Sequence, residues 1–334
     1  MTEELTQSPD DRARSADTER RFGAAQAMRL VGPMAASGDD ILVENIDTEI
    51  APSEAALFDM ETISASFKRS EQTINKIRLN DSFQEYIAKR SIHPYKQCSE
   101  QPYWIALNAF VNRLVRDSPP ESESDRLQAH TLQLLAATPN FIFAQTALSQ
   151  RVEKNLTNRA AASTYNGLIR DMATSYPGLT ASGLSKALAN GLQATMEFNA
   201  PPLPLAAAQV NRCIRGAQHE IAFGALLSGA GLAYRTTTVS EDLTGIDYVV
   251  SMYGQELPVD VKASLSEVEA NNSQKAFALR GGKVIMFSMI TDAELHDSFF
   301  PPQEIVEQRA PFVAKYLDEA MDLIRLHVYN TGQY

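Results

Sequence analysis

Cysteine is nearly absent from this 334-residue chain, which holds two, Cys98 and Cys213. Thiols so few and so far apart make neither a disulfide framework nor a zinc-type spacing, and they read as the reduced thiols of a cytoplasmic protein. No apolar run is long enough to span a bilayer, and Met1-Thr2-Glu3-Glu4-Leu5 is acidic and polar, unlike a secretory signal. The expectation is a soluble, unexported chain with no membrane partner. Internal repeats, a phosphate-cradling glycine loop, a nucleophile elbow and helicase or ATPase motifs are missing too, which argues against a self-contained motor enzyme. Positive charge is also short. The formal net charge is −11, a poor match for a protein that must neutralise phosphates. The deficit is uneven, however: residues 1–63 and 209–334 are acidic, while 64–118 and 127–200 are net positive. Any grip on nucleic acid is therefore expected from the middle of the chain.

With 44% hydrophobic residues the chain can bury a full core and is long enough for two domains. Residues 1–52, rich in Asp, Glu, Ser, Thr and Ala, read as an acidic, flexible arm. Residues 53–200 read as a helical, locally basic domain. Ser53 can cap a helical stretch over 53–91 in which Leu57, Met60, Ile63 and Phe67 recur at three- and four-residue steps, and a second helix spans Tyr103–Val115. From Asp125 to Phe198 the pattern is helical again, with breaks expected at Thr138-Pro139-Asn140 and Tyr176-Pro177-Gly178. Phe143–Arg159 followed by Ala161–Ala173 has the length of a helix-turn-helix. Residues 201–208, opening Pro201-Pro202-Leu203-Pro204, read as a stiff linker, and 209–334 as the second domain, closed by a helix that Pro311 starts.

Within that second domain two strand-like runs each carry an acid: Thr244-Gly245-Ile246-Asp247-Tyr248-Val249-Val250, and Leu257-Pro258-Val259-Asp260-Val261-Lys262-Ala263. Strand side chains alternate faces, so Asp260 and Lys262 share one side, and a turn at Gly254 can bring Asp247 alongside them. Asp260 is the one acid in the chain followed by a lysine two places on. Two carboxylates supply hard oxygen ligands for Mg²⁺, and an ammonium beside them can position a water and neutralise an attacked phosphate. The elements run helix, strand 234–239, strand 245–251, strand 257–263, helix 267–279, strand 283–290. An αβββαβ core with a mixed sheet follows, giving an α+β or α/β fold behind the helical region. An ordinary strand-edge ion pair is the bland alternative.

This segment, residues 209–290, resembles the PD-(D/E)XK nuclease superfamily, the restriction-endonuclease-like fold. Onto its motif fall Glu220 on the preceding helix, Asp247 on the first catalytic strand, and Asp260 with Lys262 on the second. The proline of the family name is replaced by Ile246. The resemblance implies a Mg²⁺-dependent endonuclease, with Mn²⁺ a substitute. Asp247, Asp260, Glu220 and the Val261 carbonyl would be the metal-side groups, and cleavage would leave 5′-phosphate and 3′-hydroxyl ends. It further implies duplex DNA as partner, a restriction-type homodimer because cutting both strands takes two sites, or else a repair or mobile-element nuclease. Three acids and one lysine together are frustrated, so one acid is expected to keep its proton until a cation arrives.

For DNA contact the candidates are Lys68, Arg69, Lys76 and Arg78 on the first helix, Arg151, Lys154 and Arg159 in the helix-turn-helix segment, and Gln274 and Lys275 after the motif. His219 reads as structural or surface. The rival reading from another class is a noncatalytic DNA-binding or regulatory protein on a nuclease-like scaffold.

Overall fold

The computed structural model describes residues 58–90, 92, 101–149, 156–195, 203–262, 277–280, 283–287 and 289–331. The acidic arm expected at 1–52 lies outside them. Asp59 starts the first helix, α1 (Met60–Arg78), by accepting from the Thr62 backbone N–H at 2.8 Å. Glu61 in its first turn and Lys76 and Arg78 in its last complement the helix dipole. The helical stretch is broken by Asn80, whose side chain caps α2 (Asp81–Ala88) through the Ser82 N–H. Then follow α3 (Gln101–Asp117), α4 (Glu123–Ser149), α5 (Leu156–Ser175), α6 (Ala181–Thr195) and α7 (Leu203–Gly229).

Three sequence expectations fail among these helices. First, α4 runs straight through Pro139. A mid-helix proline costs about 3 kcal/mol. Here Leu134, Leu135, Ala136, Ala137, Phe141 and Ile142 are all buried around it, and at about 1.5–3 kcal/mol for each large side chain their burial outweighs that cost. Second, residues 156–175 form one continuous helix that covers the turn expected near residue 160, and residues 150–155, which join it to α4, lie outside the described residues. The segment is tied down by burial of Asn158, Ala160, Tyr165, Ile169 and Met172 in the helical core. Third, the proposed linker 201–208 is helical from Leu203. Pro204 falls in the first turn, where its missing N–H has no intrahelical acceptor to serve.

β1 (Ala233–Thr236) is followed by the one-turn α8 (Val239–Asp242), β2 (Tyr248–Met252), β3 (Gln255–Lys262), β4 (Phe277–Arg280) and β5 (Lys283–Phe287). The sheet order is β1-β2-β3-β5-β4, antiparallel except for the parallel β3/β5 pair. Phe277–Leu279, expected at the end of a helix, lie in β4 instead. Register explains it: Arg280 pairs with Lys283, and Phe277 is buried facing Tyr316 at 6.3 Å. The rest of that helix expectation, 267–276, lies outside the described residues.

α9 (Asp292–Leu295) and α10 (Gln303–Thr331) close the chain. Pro311 does not start the last helix; it sits inside it. Both Pro311 and Glu307, whose carbonyl loses its helical partner, face solvent, so that carbonyl is not buried unsatisfied.

Two apolar clusters result, an α+β arrangement. One is helical, centred on Tyr103, Trp104, Phe83, Phe141 and Tyr165; the other lies between the sheet, α10 and the end of α7. The long α7 belongs to both: Ala206, Val210, Ile214 and Ala217 enter the first cluster, and Ala222, Phe223, Leu226 and Leu227 the second. Among the described residues no helix is long and apolar enough to cross a membrane.

α6 packs against α4 at Gly191, where an added Cβ would collide with Leu135 Cδ1. Because Leu135 is fully buried, Gly191→Ala should destabilise the protein by about 1–3 kcal/mol, read as a lower denaturation midpoint in urea. An unchanged midpoint would contradict this packing.

Candidate functional site

A two-residue turn sets the site. Tyr253 and Gly254 both take positive φ, 53° and 73°, and Met252 pairs with Gln255 on either side. That is the twist favoured in hairpin connections, and the short loop leaves the register no freedom. Tyr253 is held in its unusual conformation by its hydroxyl, which donates to Asp318 Oδ1 at 2.6 Å, and by Arg325 over its ring at 4.8 Å. Tyr248 thereby pairs with Val259, and Asp247, one residue before β2, is bonded to β3 on both sides of Asp260, its N–H to the Val259 carbonyl and its side chain to the Val261 N–H. Tyr248 also fixes β2 to α7, its hydroxyl donating to the Glu220 carbonyl at 2.8 Å.

The geometry brings together the four residues that the sequence singles out, and buries two of them. Asp247 is 8% exposed and Asp260 4%. Asp247 Oδ2 accepts from the Val261 backbone N–H at 2.6 Å, and the Asp247 N–H donates to Val259 O at 2.8 Å. Asp260 Oδ1 is ion-paired with Lys262, which is 49% exposed. Glu220 Oε2 lies 2.6 Å from Arg170 Nη2.

Two cations in this cluster were missed by sequence reasoning. Arg170 comes from α5, fifty residues before its partner Glu220. Lys283 begins β5 and lies 2.8 Å from Asp260 Oδ2. No local spacing marks either one; the parallel β3/β5 pairing and the packing of α5 on α7 put them there.

Burial costs a charged group more than any nearby partner returns unless the pairing is close. Asp247 shows this most. Desolvation first, then the neighbouring Glu220 and Asp260 charges, push its pKa up to about 8, against the opposing Val261 hydrogen bond and Lys262. Burial also raises Glu220, and Arg170 partly offsets this. For Lys262 burial works to lower the pKa, yet Asp260, Asp247 and Glu220 together hold it above the ordinary lysine value. The acid expected to keep its proton is thus Asp247.

Among the described residues no three His, Cys, Asp or Glu side chains converge as a ready-made cation group. What faces inward is a pair of carboxylates, Asp247 and Asp260, with Glu220 turned to Arg170. That donor set fits Mg²⁺, which keeps several waters and is commonly held by one or two carboxylates plus substrate oxygens; it does not fit Ca²⁺, which takes six to eight oxygen ligands.

Of the candidate DNA contacts, Lys68 and Lys76 are exposed on α1. Arg69 donates to Gln128 Oε1 at 3.0 Å. Arg78 donates to the Tyr103 hydroxyl at 3.1 Å and lies over the Tyr103 and Trp104 rings, so it braces the helical core, whereas Arg69 stays exposed. Arg159 donates to Leu243 O at 3.3 Å, just ahead of β2. Arg151, Lys154, Gln274 and Lys275 lie outside the described residues. His219 is buried and bonded to Asp292 Oδ1 at 2.8 Å, a structural position. Comparison of the chain with protein-family models, curated proteins and solved structures returned no match.

Two outcomes follow from the burial of these charges. Unfolded, Asp247 titrates near 3.8; folded, near 8. The folded state therefore holds a proton that the unfolded chain releases, and stability drains away as pH climbs from about 4 to about 8. In chelator, Asp247→Asn should melt above wild type at pH 8, with the gap closing toward pH 4; a pH-independent gap would refute the shift. Arg170→Met should cost about 3–5 kcal/mol by leaving Glu220 buried without its counter-charge, and Arg170→Met with Glu220→Gln should recover much of that in urea denaturation.

Proposed function

We propose that this chain is a metal-dependent endonuclease of the PD-(D/E)XK type, hydrolysing phosphodiester bonds of duplex DNA as a restriction-type, cytoplasmic homodimer. The observation that carries this reading is that Asp247, bonded to β3 at Val259 and Val261, and Asp260 between those two residues are both buried, with Lys262 ion-paired to Asp260. The strand order supports it: β1-β2-β3 is an antiparallel meander and β5 runs parallel to β3, as the resemblance implies for those four strands, while β4 is an addition and the crossover helix lies outside the described residues.

Asp247 and Asp260, with the Val261 carbonyl as the resemblance has it, are the groups that would hold Mg²⁺ or Mn²⁺. When bound, the cation lowers the pKa of a water and withdraws charge from the attacked phosphate. Asp247 must first surrender its proton, and Asp260 must exchange part of its pairing with Lys262. Lys262 is half exposed, so its ammonium can turn to the incoming phosphate, neutralise developing charge and align the attacking water. Glu220, held by Arg170, lies near Lys262 and orients it. Lys68 and Lys76 offer exposed phosphate contacts at a distance from the chemistry.

A second reading has its own observation. Asp247, Asp260 and Glu220 each already have a protein donor, as they would in a noncatalytic DNA-binding protein whose acids serve the fold. Supercoiled plasmid incubated with the full chain and Mg²⁺, Mn²⁺ or chelator separates the two. Nicking that needs the metal, and that Asp260→Ala abolishes while the variant melts as a folded protein, is the expected result. Equal nicking by Asp260→Ala, or none by wild type with either metal, would remove the enzyme reading.

A further inference from the structure

Resting on the nuclease reading, we infer that the site's two lysines have separate tasks and that Lys283 is a positioning residue, holding Asp260 and the segment before Asp247 in one place. A lysine ammonium has three N–H donors. Those of Lys283 meet three acceptors: Asp260 Oδ2 at 2.8 Å, Gly245 O at 2.6 Å and Thr244 O at 3.1 Å. Its side chain is 19% exposed. With every donor engaged and little surface open, Lys283 neither receives a phosphate nor manages a water. Lys262 is the reverse case, paired with Asp260 Oδ1 and half exposed.

The clamp joins three separate pieces of chain. Lys283 stands at the first residue of β5, Asp260 on β3, and Thr244-Gly245 on the turn leading into Asp247. Gly245 is shaped to receive it: its φ is +76°, and an added Cβ would stand 2.8 Å from Lys283 Nζ. The turn is further tied by its own backbone, Gly245 N donating to Asp242 O at 2.7 Å and Asp247 N to Val259 O at 2.8 Å. One ammonium therefore sets the spacing between the two carboxylates by bonding one directly and the approach to the other through its carbonyls. Partners placed behind a cation's ligands orient those ligands, and removing them typically costs about 10- to 100-fold in affinity or activity.

The test compares wild type, Lys283→Met and Lys283→Arg as full chains, by plasmid cleavage against DNA and Mg²⁺ concentration and by amide hydrogen exchange. For Lys283→Met, kcat should fall about 10- to 100-fold, KM for plasmid should hold, half-maximal Mg²⁺ should rise, and the amides of residues 244–247 should exchange faster. Lys283→Arg, which keeps donors on the same side, should regain part of kcat. A Lys283→Met chain with wild-type kcat overturns the inference, as does one whose defect lies in KM for DNA alone, since that marks a phosphate contact. If Lys283→Met does not fold, Gly245→Ala displaces the same ammonium, and a wild-type kcat there overturns it equally. Should wild type cleave nothing with either metal, the nuclease reading falls by itself. The clamp is then judged by exchange: faster exchange at 244–247 in Lys283→Met upholds it, and unchanged exchange removes it.

Discussion

Everything at the candidate site depends on two carboxylates, Asp247 and Asp260, being buried close enough to feel each other's charge in a place where water hardly screens them. Like charges buried together are tolerated only if something else compensates. The chain supplies that compensation from three directions. Lys262 comes from the same strand, Lys283 from the parallel neighbour, and Arg170 from the helical layer by way of Glu220. Even so, Asp247 stays far from an ordinary aspartate, with a pKa near 8. Such a displaced acid is costly to the fold, and sites where burial and like charge shift a pKa this far are where function concentrates.

The helical layer is therefore part of the site's construction as well as a neighbour to it. α7 carries Glu220 at the place where it passes from the helical cluster to the sheet cluster, and its carbonyl at 220 receives the Tyr248 hydroxyl. α5 adds Arg170 to the cluster and Arg159 to the turn ahead of β2. Because α7 is one unbroken helix across the expected linker, the two apolar clusters share it as a common packing element.

Much of the local chemistry was legible in the residues. Asp260, Lys262 and the preceding acidic strand could be placed because strand alternation is strict and because a Gly-containing turn between two apolar runs marks a hairpin. The expectation of a frustrated acid followed from the same count of charges. Helix limits fared worse. Pro139, Pro204 and Pro311 were each read as a boundary, yet each is accommodated in a helix, by dense burial, by a first-turn position and by a solvent-facing carbonyl respectively. Local propensity is a weak prior when packing weighs against it. The charged residues of α1 looked alike in sequence, but Arg78 is bonded inward to Tyr103 while Arg69, Lys68 and Lys76 are exposed.

The sequence by itself determined which residues can do hard-cation and phosphate chemistry, since side-chain type and two-residue alternation are local properties. Only the tertiary structure decided their partners. Arg170 and Lys283 reach the site through helix packing and a parallel strand pairing, both long-range contacts whose register no short motif encodes. The charge state of Asp247 likewise depends on how deeply it is buried and which charges surround it, and these exist only once the chain has closed around them.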